Sequence, residues 1–190
     1  VDPGHGVSLD LALFYNDYDH LRTIEPGTPD ASGPRVVVPL HYANHARGRT
    51  WGAEADALLR PSPGWRLRLS YSYLQMRLGL TDGAPAGTVT EAIPGNHPKH
   101  MAGIHSSMDL PGNFELDLVG RYVGALGGSG IADYATARIR LGWRWQRRVE
   151  LSIAGQDLFA PRRREFLTGV YAADDRYIER RAYVQAVWRF

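Results

Sequence analysis

Ala135-Thr136-Ala137-Arg138-Ile139-Arg140-Leu141-Gly142-Trp143-Arg144-Trp145 sorts by parity. Odd positions carry Ala135, Ala137, Ile139, Leu141, Trp143 and Trp145, whereas even ones carry Thr136, Arg138, Arg140 and Arg144. A helix would scatter these side chains around its circumference; a strand sends them to opposite faces. The stretch reads as a strand with one apolar and one cationic face.

The same period continues on both sides. Phe114, Leu116, Leu118, Gly120 and Tyr122 alternate with Glu115, Asp117, Val119 and Arg121. Trp65, Leu67, Leu69, Tyr71 and Tyr73 alternate with Arg66, Arg68, Ser70 and Ser72, and Val7, Leu9, Leu11, Leu13 and Tyr15 with Ser8, Asp10, Ala12, Phe14 and Asn16. Towards the C-terminus, Val149, Leu151 and Ile153 alternate with Glu150, Ser152 and Ala154, and Ala182, Val184, Ala186, Trp188 and Phe190 with Arg181, Tyr183, Gln185, Val187 and Arg189. Residues 101–110 alternate weakly, with Ile104 and Met108 on the apolar parity and His105 and Asp109 on the other. Residues 36–60 read as one long strand, interrupted by a bulge or turn around Ala46-Arg47-Gly48-Arg49.

The connections alternate in length. Pro61-Ser62-Pro63-Gly64, Pro111-Gly112-Asn113 and Gln146-Arg147-Arg148 are tight turns; residues 21–35, 79–98, 126–133 and 160–178 are longer. This short-long rhythm keeps its phase only if residues 36–60 are a single strand, which predicts an antiparallel meander of about eight long strands.

Composition agrees. At 44% hydrophobic and 22% charged, the 190 residues are not disordered as a whole, and 21 Gly with 12 Pro favour a turn-rich β protein. A formal charge of +2, with Lys99 the lone Lys, is too mild to argue for nucleic acid. The absence of Cys excludes disulfide scaffolds and thiolate metal sites. No apolar run reaches the ~18 residues of a helical span, a test that β-barrels evade because their apolar residues alternate.

The aromatics separate a membrane wall from a soluble sandwich, which would also alternate. Trp65, Phe114, Trp143, Trp145, Trp188 and Phe190 share the apolar parity at the short-turn ends; Tyr15, Tyr71, Tyr73 and Tyr122 share it towards the long loops. Two aromatic rings with aliphatics between them are expected at the two membrane interfaces. From Trp65 to Tyr73 the path is about 26 Å, or about 20 Å of height at a ~40° tilt, close to the apolar band of a barrel wall. The opposite parity is rich in Arg, Glu and Asp, which suits a wet lumen.

These features carry a family resemblance. Leu9-Asp10-Leu11-Ala12-Leu13-Phe14-Tyr15-Asn16-Asp17-Tyr18, Asn44 followed by Gly48-Arg49-Thr50-Trp51-Gly52-Ala53-Glu54, Gly155-Gln156-Asp157-Leu158-Phe159, and the aromatic-ended tail through Phe190 together resemble the C-terminal part of TonB-dependent outer-membrane receptors. Such receptors usually have Asn where this chain has Asp157. The resemblance implies an all-β segment of a transmembrane barrel, twenty-two strands wide in a full receptor. It further implies energy-coupled uptake of a scarce nutrient such as an iron chelate or cobalamin, and residence in the bacterial outer membrane. Implied partners are outer-membrane lipid and lipopolysaccharide, the barrel-assembly machinery through Phe190, and TonB and a plug domain in the full-length receptor only. The chain begins at Val1 without a start Met, and residues 1–190 are read as a C-terminal barrel segment with the plug absent. Neither a cofactor nor an enzymatic activity is expected.

Candidates for the ligand path are the polar-parity residues Glu54, Asp56, Arg66, Arg68, Asp117, Arg121, Arg138 and Arg140. His41 and His45 share a parity but stand about 13 Å apart along a strand, too far to hold one ion. His97, His100 and His105 read as polar residues near a loop base rather than metal ligands. Gly124-Ala125-Leu126-Gly127-Gly128-Ser129-Gly130 lacks the Lys and following helix of a phosphate loop, and Arg162-Arg163-Arg164 reads as a solvated loop base that faces anionic sugars or a negatively charged ligand. A second functional reading is a self-contained eight-stranded barrel acting as adhesin, structural protein or lipase-type enzyme, in which the first and last strands pair.

Overall fold

The computed structural model describes residues 6–90, 95–128, 130–145, 148–159, 162–163 and 177–189. All regular elements among them are strands: β1 (Val7–Pro26), β2 (Leu40–Ser62), β3 (Trp65–Leu80), β4 (Val89–Thr90), β5 (His100–Leu110), β6 (Phe114–Val123), β7 (Tyr134–Trp145), β8 (Val149–Gln156), β9 (Arg162–Arg163), β10 (Ile178–Glu179) and β11 (Arg181–Trp188). One sheet holds nine in the order β11-β8-β7-β6-β5-β3-β2-β1-β4, and β9 pairs separately with β10. Its eight long strands form the antiparallel meander that the alternation predicts.

Register converts these strands into a two-faced wall. Leu11 stands opposite Ala55, Ala55 opposite Tyr71, Tyr71 opposite Ala102, Ala102 opposite Tyr122 and Tyr122 opposite Ala135. Nearer the tight turns the row is Leu67, Ser106, Leu118, Ile139, Gly155 and Ala182. From β3 through β11 the ladder carries no register shift. A one-residue slip at any seam would move every later apolar side chain to the polar face.

Among the described residues no second layer covers the apolar face. Among the described residues the buried hydrophobics are Ala46, Val123, Leu126 and Ala154, while Leu13 is 86% and Leu11 72% exposed. The chain exposes 13763 Å², whereas a compact soluble protein of this mass exposes about 9000 Å². A single open sheet exposes both faces, and the apolar one requires a non-aqueous neighbour.

The strands nearest the N-terminus run beyond that surface. β1 and β2 have 20 and 23 residues, against 8 for β8. Residues 21–26, expected in a loop, continue β1 because β2 starts at Leu40 and pairs with them, and because β4 reaches Thr23 and Ile24 from β1's other side. The expected irregularity near Ala46–Arg49 is real, but part of it lies in β1. Register shifts fall between Tyr18 and Leu21 and between Leu21 and Thr23, and His20 there takes φ 55°.

Turn chemistry holds the short ends. Gly112 and Asn113 both have positive φ, at 77° and 62°, in the loop joining β5 to β6. Asp157, at φ 56° after β8, occupies a left-handed position that Asn and Asp tolerate, which explains a short polar amide or acid at this point.

Leu11→Arg places a charge in the middle of the apolar face and should destabilise the lipid-inserted sheet by about 2–4 kcal/mol. Ala12→Arg, on the polar face, should cost well under half of that. Urea titrations in liposomes, followed by tryptophan fluorescence, distinguish the two.

Candidate functional site

All eight ligand-path candidates lie on the polar face. Asp56, Ser70, Gly103, Arg121 and Thr136 form one register row; Arg68, His105, Val119 and Arg138 form the next; Arg66, Ser107, Asp117 and Arg140 the third. Glu54 shares the face, opposite Ser72. Around Asp10, Glu54, Asp56, Arg68 and Arg121 the surface cups an open concavity of about 740 Å³.

The structure brings four of these residues into pairs. Arg68 Nε donates to both oxygens of Asp56, at 3.0 and 2.8 Å. Arg140 Nη1 donates to Asp117 Oδ2 at 3.2 Å and lies 3.6 Å from Glu115 Oε2, while its Nη2 donates to Glu150. Glu115 also accepts from Arg144, and Arg189 Nη2 stands 3.8 Å from the second oxygen of Glu150. Glu54, Arg66, Arg121 and Arg138 are exposed on this face and join no ion pair among the described residues.

Arg140 is the hub of the group, and the reason is steric. A Cβ on Gly142 would sit 2.9 Å from Arg140 Nη1 and 3.0 Å from Nη2, so the guanidinium lies over the glycine and a side chain there would push it aside. From there it reaches carboxylates on both neighbouring strands. Sequence reasoning missed Glu115, Arg144, Glu150, Arg189 and the role of Gly142. The available signal was a lone Gly on the polar parity between Arg140 and Arg144.

The aromatic belts lie on the opposite, apolar face. Phe114 and Trp143 rings are 6.3 Å apart near the short turns, and Trp65 Nε1 donates to Ser106 Oγ at 2.9 Å. At the other rim His100 joins the aromatics. Its Nδ1 is 2.8 Å from the Tyr71 hydroxyl and its ring 5.1 Å from Tyr73. The Tyr122 hydroxyl donates to Asp133 Oδ2 at 3.2 Å. Trp51, in register between Tyr15 and Gln75, belongs to this rim, although sequence reading left it out. Trp145, paired with Val149, and Trp188, paired with the same Val149, complete the short-turn belt. Phe190 falls outside the described residues, as does Arg164.

Beyond the upper rim sits a second polar cluster. Glu25, 7% exposed, accepts from the Thr23 hydroxyl at 2.7 Å, and its Oε1 is 2.6 Å from His45 Nδ1; Thr23 itself is fully buried. The Thr23 hydroxyl, seconded by His45 and His41 against the opposing effect of burial, holds the Glu25 carboxyl below the ordinary glutamate range. His41 and His45 therefore flank a carboxylate, and no set of three metal-ligating side chains occurs among the described residues. Leu126 and Ile131 bridge across the base of the Gly-rich loop, and Arg162 stacks 3.8 Å over the Tyr177 ring with Glu179 3.9 Å away.

A family model described as TonB dependent receptor-like, beta-barrel matches residues 2–158. A search of curated proteins finds no match. Among solved structures, the chain is similar to the pyoverdine outer membrane receptor FpvA from Pseudomonas aeruginosa PAO1, with a TM-score of 0.69 at 14% identity, covering 97% of this chain and 27% of that one. It is similar to the ferric-catecholate import receptor Fiu from K12 E. coli, with TM-score 0.63, 19% identity, and 95% and 25% of the two chains covered. It is also similar to the copper transporter OprC, with TM-score 0.65, 14% identity, and 98% and 30% covered. The chain thus spans between a quarter and a third of the length of these receptors, and the likeness is one of fold.

Arg140→Met leaves Glu115, Asp117 and Glu150 without their shared cation and should cost about 1–3 kcal/mol in denaturant titrations. Gly142→Val displaces the same guanidinium, so the double variant should lose less than the sum of the single variants. For Glu25, the folded carboxyl titrates below its unfolded value. Its stabilisation is complete above the ordinary glutamate range and lost as pH falls through the lower, folded value. Amide exchange across residues 40–46 should accelerate in that acidic window, and Glu25→Gln should remove the pH dependence.

Proposed function

The chain belongs to the TonB-dependent receptor β-barrel family, whose members are transporters of the bacterial outer membrane rather than enzymes, and we propose that residues 1–190 form the C-terminal wall of a wider receptor barrel that takes up a metal ion or metal chelate. The observation that carries this reading is the unshifted register from β3 to β11, which turns the apolar parity of these strands to one face of a sheet whose two ends are unjoined among the described residues. Among the described residues β11 pairs on one side, with β8, and β1 pairs beyond β2 with the two residues of β4. Closure as an eight-stranded barrel needs a β1–β11 ladder, and the described sheet has none. In the wider barrel, further strands complete both edges.

On this reading the polar face lines the lumen. The Arg68–Asp56 pair and the Arg140 group brace the wall, while Arg66, Arg121 and Arg138 offer cations to an anionic chelate or to a plug domain. The receptors it is similar to are named for pyoverdine, ferric catecholate and copper, which supports a metal-bearing cargo. TonB and the plug act on the full-length receptor. Outer-membrane lipid, lipopolysaccharide and, through Phe190, the barrel-assembly machinery are partners of this wall.

An antibody against this chain, used on native outer membranes, should detect a polypeptide about four times its length, and a native species of 190 residues would overturn the proposal. In iron-starved cells, deleting the segment that encodes residues 1–190 should reduce energy-dependent uptake of radiolabelled ferric chelate to background.

A further inference from the structure

On the apolar face, Tyr15, Trp51 and Gln75 form the uppermost belt row, and the next outward row is Asp17, Arg49 and Arg77. One step higher on the same face is Arg47, opposite Gly79. The surface therefore changes within two residues from aromatic to cationic. Arg49 and Arg77 are directly opposed, an arrangement that like charges disfavour across a strand pair. Asp17 answers only part of that charge, accepting from Arg49 Nε at 3.1 Å. Arg77 is held with its guanidinium 5.2 Å over the Trp51 ring, and neither it nor Arg47 joins an ion pair among the described residues. The other carboxylate nearby, Asp19, is engaged with its neighbour His20.

Height identifies what could neutralise this row. Two residues along a strand are about 6.6 Å, or about 5 Å along the membrane normal at a ~40° tilt. The polar layer on each side of a hydrocarbon core is about 5–7 Å deep. With Trp51 at the boundary, the guanidinium groups of Arg49 and Arg77 lie among lipid headgroups, at the rim that bears the long connections. Guanidinium groups match phosphate oxygens two at a time, and stacking on Trp51 restricts Arg77 to an orientation along the wall.

We infer that Arg47, Arg49 and Arg77 form an outward-facing binding site for the phosphate groups of the outer-leaflet glycolipid. The inference rests on the membrane orientation proposed above and adds to it a site, a face and a ligand chemistry. The Arg row anchors this part of the wall vertically, because sliding it into the hydrocarbon would strip two exposed guanidinium groups of water and phosphate together.

The test uses the full-length polypeptide that contains this chain, purified from outer membranes in neutral detergent and titrated with radiolabelled diphosphoryl lipid A. Arg49→Gln combined with Arg77→Gln should weaken binding at least tenfold, the corresponding double Lys replacement should retain part of the affinity, and Arg60→Gln, at the opposite rim, should leave it unchanged. Should the Gln double variant fail to fold, the parent protein decides alone. It should prefer diphosphoryl over dephosphorylated lipid A by tenfold or more, and inorganic phosphate at the same concentration should not compete. Equal binding of dephosphorylated lipid A, or full competition by inorganic phosphate, would overturn the site. Failure to find the polypeptide in the outer membrane at all would instead count against the receptor reading.

Discussion

A backbone that meets lipid has no water to satisfy its N–H and C=O groups, so each must find a partner on a neighbouring strand. Every other feature of this wall depends on that constraint. The ladders from β3 to β11 meet it without a register shift, and the same pairing fixes which side chains share a face. Backbone satisfaction and side-chain sorting are one event. The irregularities between β1 and β2 lie above Trp51, where water is available and a shifted ladder is tolerated.

Once the apolar residues are committed outward, the polar parity must accommodate its own charges on a surface one strand-spacing apart. Near the short turns the wall does this by setting Glu115, Asp117 and Glu150 against Arg140 on the strand between them. Gly142 leaves room for the guanidinium by contributing no side chain. Towards the long connections the sorting changes. Leu74, Met76 and Leu78 fall on the inner face, while Asp17, Arg49 and Arg77 fall on the outer one. The exchange marks the height at which lipid stops being the outer neighbour.

Alternation in the sequence made the strands, their faces and both belts legible, because period two is local and needs no knowledge of partners. Leu11 and Arg140 could be assigned to opposite faces without knowing which strands lay beside them. Partners were not legible. That Arg140 meets Glu150, or that β4 crosses to pair with Thr23 and Ile24, depends on register between residues far apart in the chain. Residues 21–26 looked like loop because the apolar residues change sides just below them and the alternation loses its phase. The Glu25 carboxylate that faces His41 and His45 could not be seen from strand spacing alone.

Odd residues of β7 meet lipid and even ones do not, and every face of the wall follows from that sorting. The sequence contains no Cys, so single cysteines carrying an environment-sensitive fluorophore report without background. Scanned through residues 136–143 of the membrane-inserted full-length polypeptide, quenching by brominated lipid should alternate, strong at 137, 139 and 141 and weak at 136, 138 and 140. Uniform quenching, or a maximum every three to four residues, would contradict a two-faced wall.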